Sequence, residues 1–199
     1  MTVHYSKIAQ GTPEWLSERA GLVTASDFKV ACGKPSATRT RLMEKIGAAK
    51  AGYPADPSFQ SPAMERGHEI EEVARDYFSF AHDVEVKKVG LATNSAYPSI
   101  GASLDGLIGD NIGWECKAPM PSILWRYQRA NRLPPDYATQ VYGQMLVCNL
   151  DGVWFHAYHP DCADPSFEIF VPRDIEKMQA IAEGLDKFLA DLAKLEGKR

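Results

Sequence analysis

Ile112-Gly113-Trp114-Glu115-Cys116-Lys117 reads as a β-strand with two unlike faces. Side chains alternate along a strand, so Trp114 and Cys116 point one way and Glu115 and Lys117 the other. The charged face is either a solvent-facing Glu–Lys pair or part of a site. Just upstream, Ser103-Leu104-Asp105-Gly106 ends a neighbouring strand, and Gly109-Asp110-Asn111 supplies the turn between them. That hairpin brings Asp105 towards Glu115. Two carboxylates and a backbone carbonyl, most simply that of Cys116, make a hard oxygen set suited to Mg²⁺ or Mn²⁺. Lys117 beside such an ion is placed to orient a water and stabilise negative charge.

Working outward, Ser61-Pro62 opens a helix that runs to about Ala81. Glu65, Glu69, Glu72 and Asp76 form one solvated stripe along it. Glu71 instead shares a stripe with Gly67, Ala74 and Phe78, which should face the interior. A carboxylate there needs a partner, either a metal or its water, or else Arg75 or Lys117. After the strand in the chain, a helix over about Pro135 to Cys148 carries Gln140 and Gln144 one turn apart, with Tyr137 near the same face. Their amides suit a phosphate or an attacking water, although a lone glutamine pair is more often surface than site.

The remaining chain supplies the frame. Thr12 and Pro13 start a helix that ends near Gly21, and Thr24 or Ser26 caps a second one to about Cys32, stopped by Gly33. Residues 47–62 and 160–166 are expected to be flexible. Strands are expected in the 84–117 stretch and at 152–159 and 167–171. A final helix over 174–196 has Ile175, Met178, Ile181, Leu185, Phe188, Leu192 and Leu195 at packing spacing. This order predicts an α/β or α+β domain with a mixed sheet.

The 199 residues are 45% hydrophobic and 24% charged, proportions that favour one globular domain over disorder. No apolar stretch is long enough to span a membrane, and Met1 to Tyr5 shows no secretory pattern, which favours a cytoplasmic protein. Cys32, Cys116, Cys148 and Cys162 are far apart, which argues for reduced thiols and against a zinc ribbon. The net charge of -4 disfavours nucleic-acid binding by bulk charge. Its distribution is uneven, however. Residues 1–50 carry eight basic and four acidic side chains, and residues 111–135 carry four and one. Lys29, Lys34, Arg39, Arg41 and Lys45 lie in the first block. In the second, Trp125, Arg126, Tyr127, Arg129 and Arg132 interleave cations with aromatics, as phosphate contact plus stacking requires. A solvated surface over buried aromatics would read the same way.

Asp105, then Glu115-Cys116-Lys117, then the helix with Gln140 resembles the pattern of restriction-endonuclease-like (PD-(D/E)xK) nucleases. Six segments narrow it: Gly11-Thr12-Pro13-Glu14-Trp15, Arg19-Ala20-Gly21-Leu22-Val23-Thr24-Ala25-Ser26, Gly67-His68-Glu69-Ile70-Glu71, Ser103-Leu104-Asp105-Gly106, Glu115-Cys116-Lys117-Ala118-Pro119 and Gln140-Val141-Tyr142-Gly143-Gln144-Met145. In this order they resemble the phage lambda exonuclease and YqaJ-type viral recombinase family over residues 9–190.

The resemblance implies a single domain over 1–199, with a restriction-endonuclease-like core whose mixed central β-sheet is flanked by helices. It implies a Mg²⁺-dependent exonuclease that digests linear double-stranded DNA from its 5′ end to 5′-mononucleotides. The remaining 3′ overhang would pass to a single-strand annealing protein. Asp105, Glu115 and the Cys116 carbonyl would hold the metal, with Glu71 near it or acting through water. Lys117 would position the nucleophile, with Gln140 close by. Arg19, Ser26 and Ser103 would grip the terminal 5′-phosphate, and Ser26 at a helix start has free N–H groups for an anion. Arg126, Arg129 and Arg132 are further candidates for DNA contact. A toroidal homotrimer around double-stranded DNA ends, and a phage or prophage origin in a bacterial host, are also implied. Leu104 stands where the family commonly has proline, and residues 33–61 have no clear counterpart, leaving Arg39 and Arg41 unassigned. The scattered cysteines argue against an iron–sulfur cluster. Two other readings are a structure- or sequence-specific endonuclease on the same core, and an inactive DNA-end-binding module.

Overall fold

The computed structural model describes residues 2–54 and 62–197, with side chains from Arg66 onward in the second stretch. In chain order the elements are β1 (Val3–Tyr5), α1 (Pro13–Arg19), β2 (Val23–Thr24), a 3-10 turn (Ala25–Asp27) leading into α2 (Phe28–Ala31), α3 (Ala37–Lys50), α4 (Pro62–His82), β3 (Val86–Lys87), β4 (Leu91–Asn94), β5 (Tyr97–Ser103), β6 (Gly106–Ile108), β7 (Ile112–Lys117), α5 (Pro121–Ala130), α6 (Pro135–Cys148), β8 (Gly152–Tyr158), β9 (Ser166–Pro172) and α7 (Ile175–Glu196). The mixed α/β class is as expected, and the strands divide between two sheets. One has the order β1-β4-β5-β2 and the other β3-β6-β7-β8-β9. Each sheet contains one parallel pair, β2 with β5 and β7 with β8.

The step between the sheets places the chemistry. After β5 ends at Ser103, only Leu104 and Asp105 intervene before β6 begins in the second sheet. Leu104 is fully buried and fixes this crossing. The hairpin from β6 to β7 turns at Gly109, whose φ of 58° favours a residue without a β-carbon. Its antiparallel register sets Gly106 opposite Trp114. Asp105 therefore lies beside the strand that carries Glu115 and Lys117.

Each face of β7 meets a helix. Trp114 and Cys116 pack with Ile70, Ala74 and Phe78 of α4 in the smaller of two apolar clusters. The larger cluster gathers α6, α7, β8 and the first sheet around residues such as Val141, Met145, Phe155 and Phe188. Helix α6 occupies its predicted span, with Pro135 at its first turn and Asn149 as a left-handed cap at φ 53°. Within α6, a β-carbon at Gly143 would overlap the Phe28 ring, so glycine lets α2 lie directly on the helix.

Several expectations change. Residues 47–50, expected to be flexible, form the last turn of α3, which begins where Ser36 Oγ accepts from the Arg39 N–H at 3.2 Å. Residues 55–61, including the Ser61 helix opening, lie outside the described residues, as does the Glu65 side chain. Neither Thr24 nor Ser26 caps a helix through its side chain. Thr24 instead donates to Asp27, and Ser26 sits within the 3-10 turn. Along α7 the packing stripe runs from Met178 to Leu192, while Ile175 and Leu195 at its ends are exposed. Helix α5 and strand β1 add to the elements read from sequence.

Candidate active site

The charged face of β7 is almost entirely enclosed. Glu115 is fully buried, and its Oε1 accepts from Lys117 Nζ and, at 2.6 Å, from Gln140 Nε2. Its other oxygen accepts from Gln144 Nε2 at 2.5 Å. Gln144 is also fully buried, and its amide reaches the Ser103 carbonyl at 3.4 Å. Both glutamines of α6 thus converge on one carboxylate. The one-turn spacing that made them a pair in the sequence is the signal for both, yet only Gln140 was singled out as a site residue. Lys117 Nζ also lies 5.4 Å from the Tyr137 ring centroid.

Asp105 comes in from the sheet crossing, and its Oδ2 accepts from the Cys116 N–H at 2.8 Å. Burial, reinforced by the nearby Glu115 and Glu71 carboxylates, holds its carboxyl well above the usual range despite the opposing pull of Lys117. Burial alone would lower the Lys117 pKa, but Glu115 and Asp105 outweigh it and keep the ammonium charged. Glu71 takes the Arg75 alternative: Arg75 Nη2 donates to its Oε1 at 2.5 Å and to the Asp105 carbonyl at 3.0 Å. Burial still raises the Glu71 pKa, with Arg75 opposing. Arg75, four residues along the helix from Glu71, is therefore a strut between α4 and the acidic cluster.

This donor set can accommodate a hard cation. Three carboxylates face two cations, and Arg75 is engaged by Glu71 and a carbonyl. A divalent ion would favour the charged Asp105 carboxylate, which burial and then the neighbouring carboxylates disfavour. Among the described residues, no three His, Cys, Asp or Glu side chains are grouped to cage a metal by themselves.

A second cluster lies along the first sheet. Arg19 stacks over Trp15, 4.4 Å from the ring centroid, and its Nη2 donates to Thr24 Oγ1 at 2.9 Å. Thr24 Oγ1 lies 3.1 Å from Ser26 Oγ and donates to Asp27 Oδ2 at 2.9 Å. Burial lowers the Arg19 pKa, with Asp27 opposing. The guanidinium stays charged and suits a phosphate. Arg19, Thr24, Asp27 and Lys45 line a cavity of about 250 Å³. The parallel register pairs Thr24 with Gly101, two residues before Ser103. Ser103 Oγ is buried without a hydrogen-bond partner among the described residues. The Ser103 carbonyl is the one that Gln144 touches, at the end of the strand that pairs with β2. Thr24 is the residue here that sequence reasoning missed, and its only signal was its place between Arg19 and Ser26.

The basic blocks separate by role. Arg39 is buried, donating to the Ala31 carbonyl and to Asp191 at 3.0 Å each, so it is a structural tie. Lys29 pairs with Asp136 at 2.6 Å. Arg41, Arg126, Arg129 and Arg132 are exposed. All four cysteines are free thiols. Among the described residues, no helix is long and apolar enough to cross a membrane.

Residues 14–153 match the YqaJ-like viral recombinase domain. The fold is similar to an alkaline exonuclease, LHK-Exo, from Laribacter hongkongensis, at 27% identity and a TM-score of 0.86, covering 94% of this chain and 95% of that one. LHK-Exo in complex with dAMP matches at 28% identity with the same TM-score and coverage. A phage-related exonuclease from Haemophilus somnus 129PT shares the fold at 14% identity and a TM-score of 0.65, over 89% of this chain and 96% of that one. Among curated protein sequences, nothing matches. The domain match and the exonuclease structures together support a nuclease of the viral recombinase type. The chain belongs to the YqaJ-like viral recombinase domain family.

Proposed function

We propose that this protein is a Mg²⁺-dependent exonuclease that degrades linear double-stranded DNA in the 5′-to-3′ direction and releases 5′-mononucleotides. The observation that carries this reading is the enclosed Asp105–Glu115–Lys117 cluster, with the Arg19 cluster at β2, the strand paired with the β5 that ends at Ser103. One cluster suits phosphodiester hydrolysis and the other an anionic chain end. The complex of LHK-Exo with dAMP, a mononucleotide, agrees with that product.

Asp105, Glu115 and the Cys116 carbonyl would hold Mg²⁺ or Mn²⁺, with Glu71 near it or acting through water. Such an ion would supply Lewis acidity towards phosphate oxygens and towards the attacking water. Lys117, kept charged by Glu115 and Asp105, positions the attacking water and stabilises charge developing on the phosphate. Gln140 holds Lys117's carboxylate partner in place and orients the water. Arg19, Ser26 and Ser103 bind the terminal 5′-phosphate, which sets the direction of travel. The same reading includes a ring-shaped homotrimer and a single-strand annealing protein that receives the 3′ overhang. An exposed stripe on α4, Val73, Tyr77 and Phe80, supports association of copies. Light scattering at a mass other than three chains would refute the trimer.

The test is linear duplex DNA with Mg²⁺, carrying 5′-phosphate or 5′-hydroxyl ends, alongside closed circular DNA. The expected result is mononucleotide release from the phosphorylated linear ends, abolished by EDTA and by Lys117→Ala. Cleavage of the circle, or full activity in Lys117→Ala, overturns the proposal.

A further inference from the structure

Helix α5 buries Leu124 and Tyr127 and turns Trp125, Arg126 and Arg129 outward. Trp125 is 59% exposed, whereas Trp15 and Trp114 are buried. The Arg129 guanidinium stacks 4.9 Å from the Trp125 ring centroid, one helical turn along. Arg132 follows just beyond the left-handed cap at Asn131. None of these three arginines forms an ion pair among the described residues, unlike Lys29 and Arg39 of the other basic block. The helix is also held firmly, because Gln128 Nε2 donates to the Asp164 and Ser166 carbonyls at 3.1 and 3.2 Å. An exposed indole braced by a guanidinium, among unpaired cations, is the chemistry of base stacking with phosphate contact.

Its position adds direction. Four chain steps lead from Lys117 to Pro121, at most about 14 Å, and four helical steps from Pro121 to Trp125 add about 6 Å. Trp125 thus lies within about 20 Å of the catalytic lysine, about six stacked bases at 3.4 Å each. The structure assigns α5 as a platform for single-stranded DNA, namely the strand left unpaired after its complement is digested. This assignment rests on the exonuclease reading. Trp125 stacks on a base while Arg126, Arg129 and Arg132 contact successive phosphates.

The test uses the whole protein in EDTA, with a labelled 20-nucleotide oligothymidine and a blunt duplex of equal length, read by fluorescence anisotropy. Trp125→Ala is expected to weaken single-strand binding about tenfold, the effect of losing about 1.4 kcal/mol of stacking. Trp125→Phe, which retains a stacking face, should stay within about threefold of wild type. Arg129→Gln should flatten the dependence of log K on log salt by about 0.7. The assignment is overturned if the wild type does not bind the oligothymidine, if Trp125→Ala binds it like wild type, or if the duplex is weakened equally. Mononucleotide release by the wild type in Mg²⁺ is measured in parallel. Its absence refutes the exonuclease reading, whereas release together with unchanged binding by Trp125→Ala refutes only the platform.

Discussion

The two faces of β7 are both closed by a helix, yet they are filled in opposite ways. Towards α4, Trp114 and Cys116 meet Ile70, Ala74 and Phe78, so carbon and sulfur fill most of the space. Towards α6, Glu115 meets Lys117, Gln140 and Gln144, and Asp105 stands close by. Apolar contacts stabilise the fold simply by leaving water. A buried charge network at best breaks even against its desolvation. One strand thus has a face that holds the fold and a face that the fold must hold in place. Substitutions on the two faces should separate stability from activity.

The largest expected effect is on the charged face. Asp105→Asn should lower nuclease activity about a thousandfold, equivalent to about 4 kcal/mol of transition-state stabilisation. Its stability should be unchanged or higher, because burial beside Glu115 and Glu71 disfavours the native carboxylate. Urea unfolding and initial rates on a linear duplex measure both. A large loss of stability would break the comparison.

On the apolar face the order reverses. Phe78 is fully buried, and Phe78→Ala should cost about 3–5 kcal/mol of stability through the cavity it leaves. Activity per folded molecule, assayed well below the lowered unfolding midpoint, should stay within about threefold of wild type. A loss comparable with that of Asp105→Asn would show that this packing also positions the catalytic groups.

Much of this division was legible in the sequence because β7 alternates strictly, and alternation assigns faces without knowledge of the partners. The span of α6 was legible for a similar reason, with proline opening it and an apolar run filling it. Helix α3 was not. Its buried residues are Arg39 and Ile46, so no apolar stripe announces it, and the ion-pair partner of Arg39, Asp191, is far along the chain. Helix α5 begins with Pro121 but shares its segment with the basic and aromatic pattern, which drew the reading towards binding rather than structure. In the site, residue types were legible but pairings were not. Glu71 had two candidate cations, and only the fold decides for Arg75. Thr24 gains its place through a parallel pairing with Gly101, a long-range contact that local pattern does not encode.

A pH titration sharpens the comparison within the apolar side. His156 is fully buried there, 3.0 Å from Ser166 Oγ, with Nδ1 unpartnered. Burial pulls its pKa down to about 4, with the nearby Glu168 opposing. Because the folded value lies below the ordinary one of about 6.5, the unfolded chain takes up the proton first as pH falls. The His156 contribution is therefore complete above about pH 6.5 and declines towards pH 4, by about 3 kcal/mol in total. Denaturation midpoints at pH 7 and pH 5 should show the decline, and His156→Gln, which cannot titrate, should flatten it. An equal decline in that variant would assign the effect to other groups.

The smallest expected effect separates the two glutamines on the charged side. Gln144 is fully buried and supplies the only side-chain donor to Glu115 Oε2 among the described residues, whereas Oε1 receives both Gln140 and Lys117. Removing Gln140 leaves Oε1 paired with the lysine. Removing Gln144 leaves a buried carboxylate oxygen bare and frees the Ser103 carbonyl. Gln144→Leu should therefore lower activity about 10–30-fold and cost about 1–3 kcal/mol of stability, the penalty for an unsatisfied buried acceptor. Gln140→Leu should lower activity by a similar factor with under about 1 kcal/mol of destabilisation. Initial rates and urea midpoints for the two variants decide the matter, and equal stability losses would mean that α6 holds Glu115 through both amides alike. The double variant adds a further check, since two donors on one carboxylate should be non-additive. Strict additivity would mean that each glutamine acts on a separate group rather than through their shared hold on Glu115.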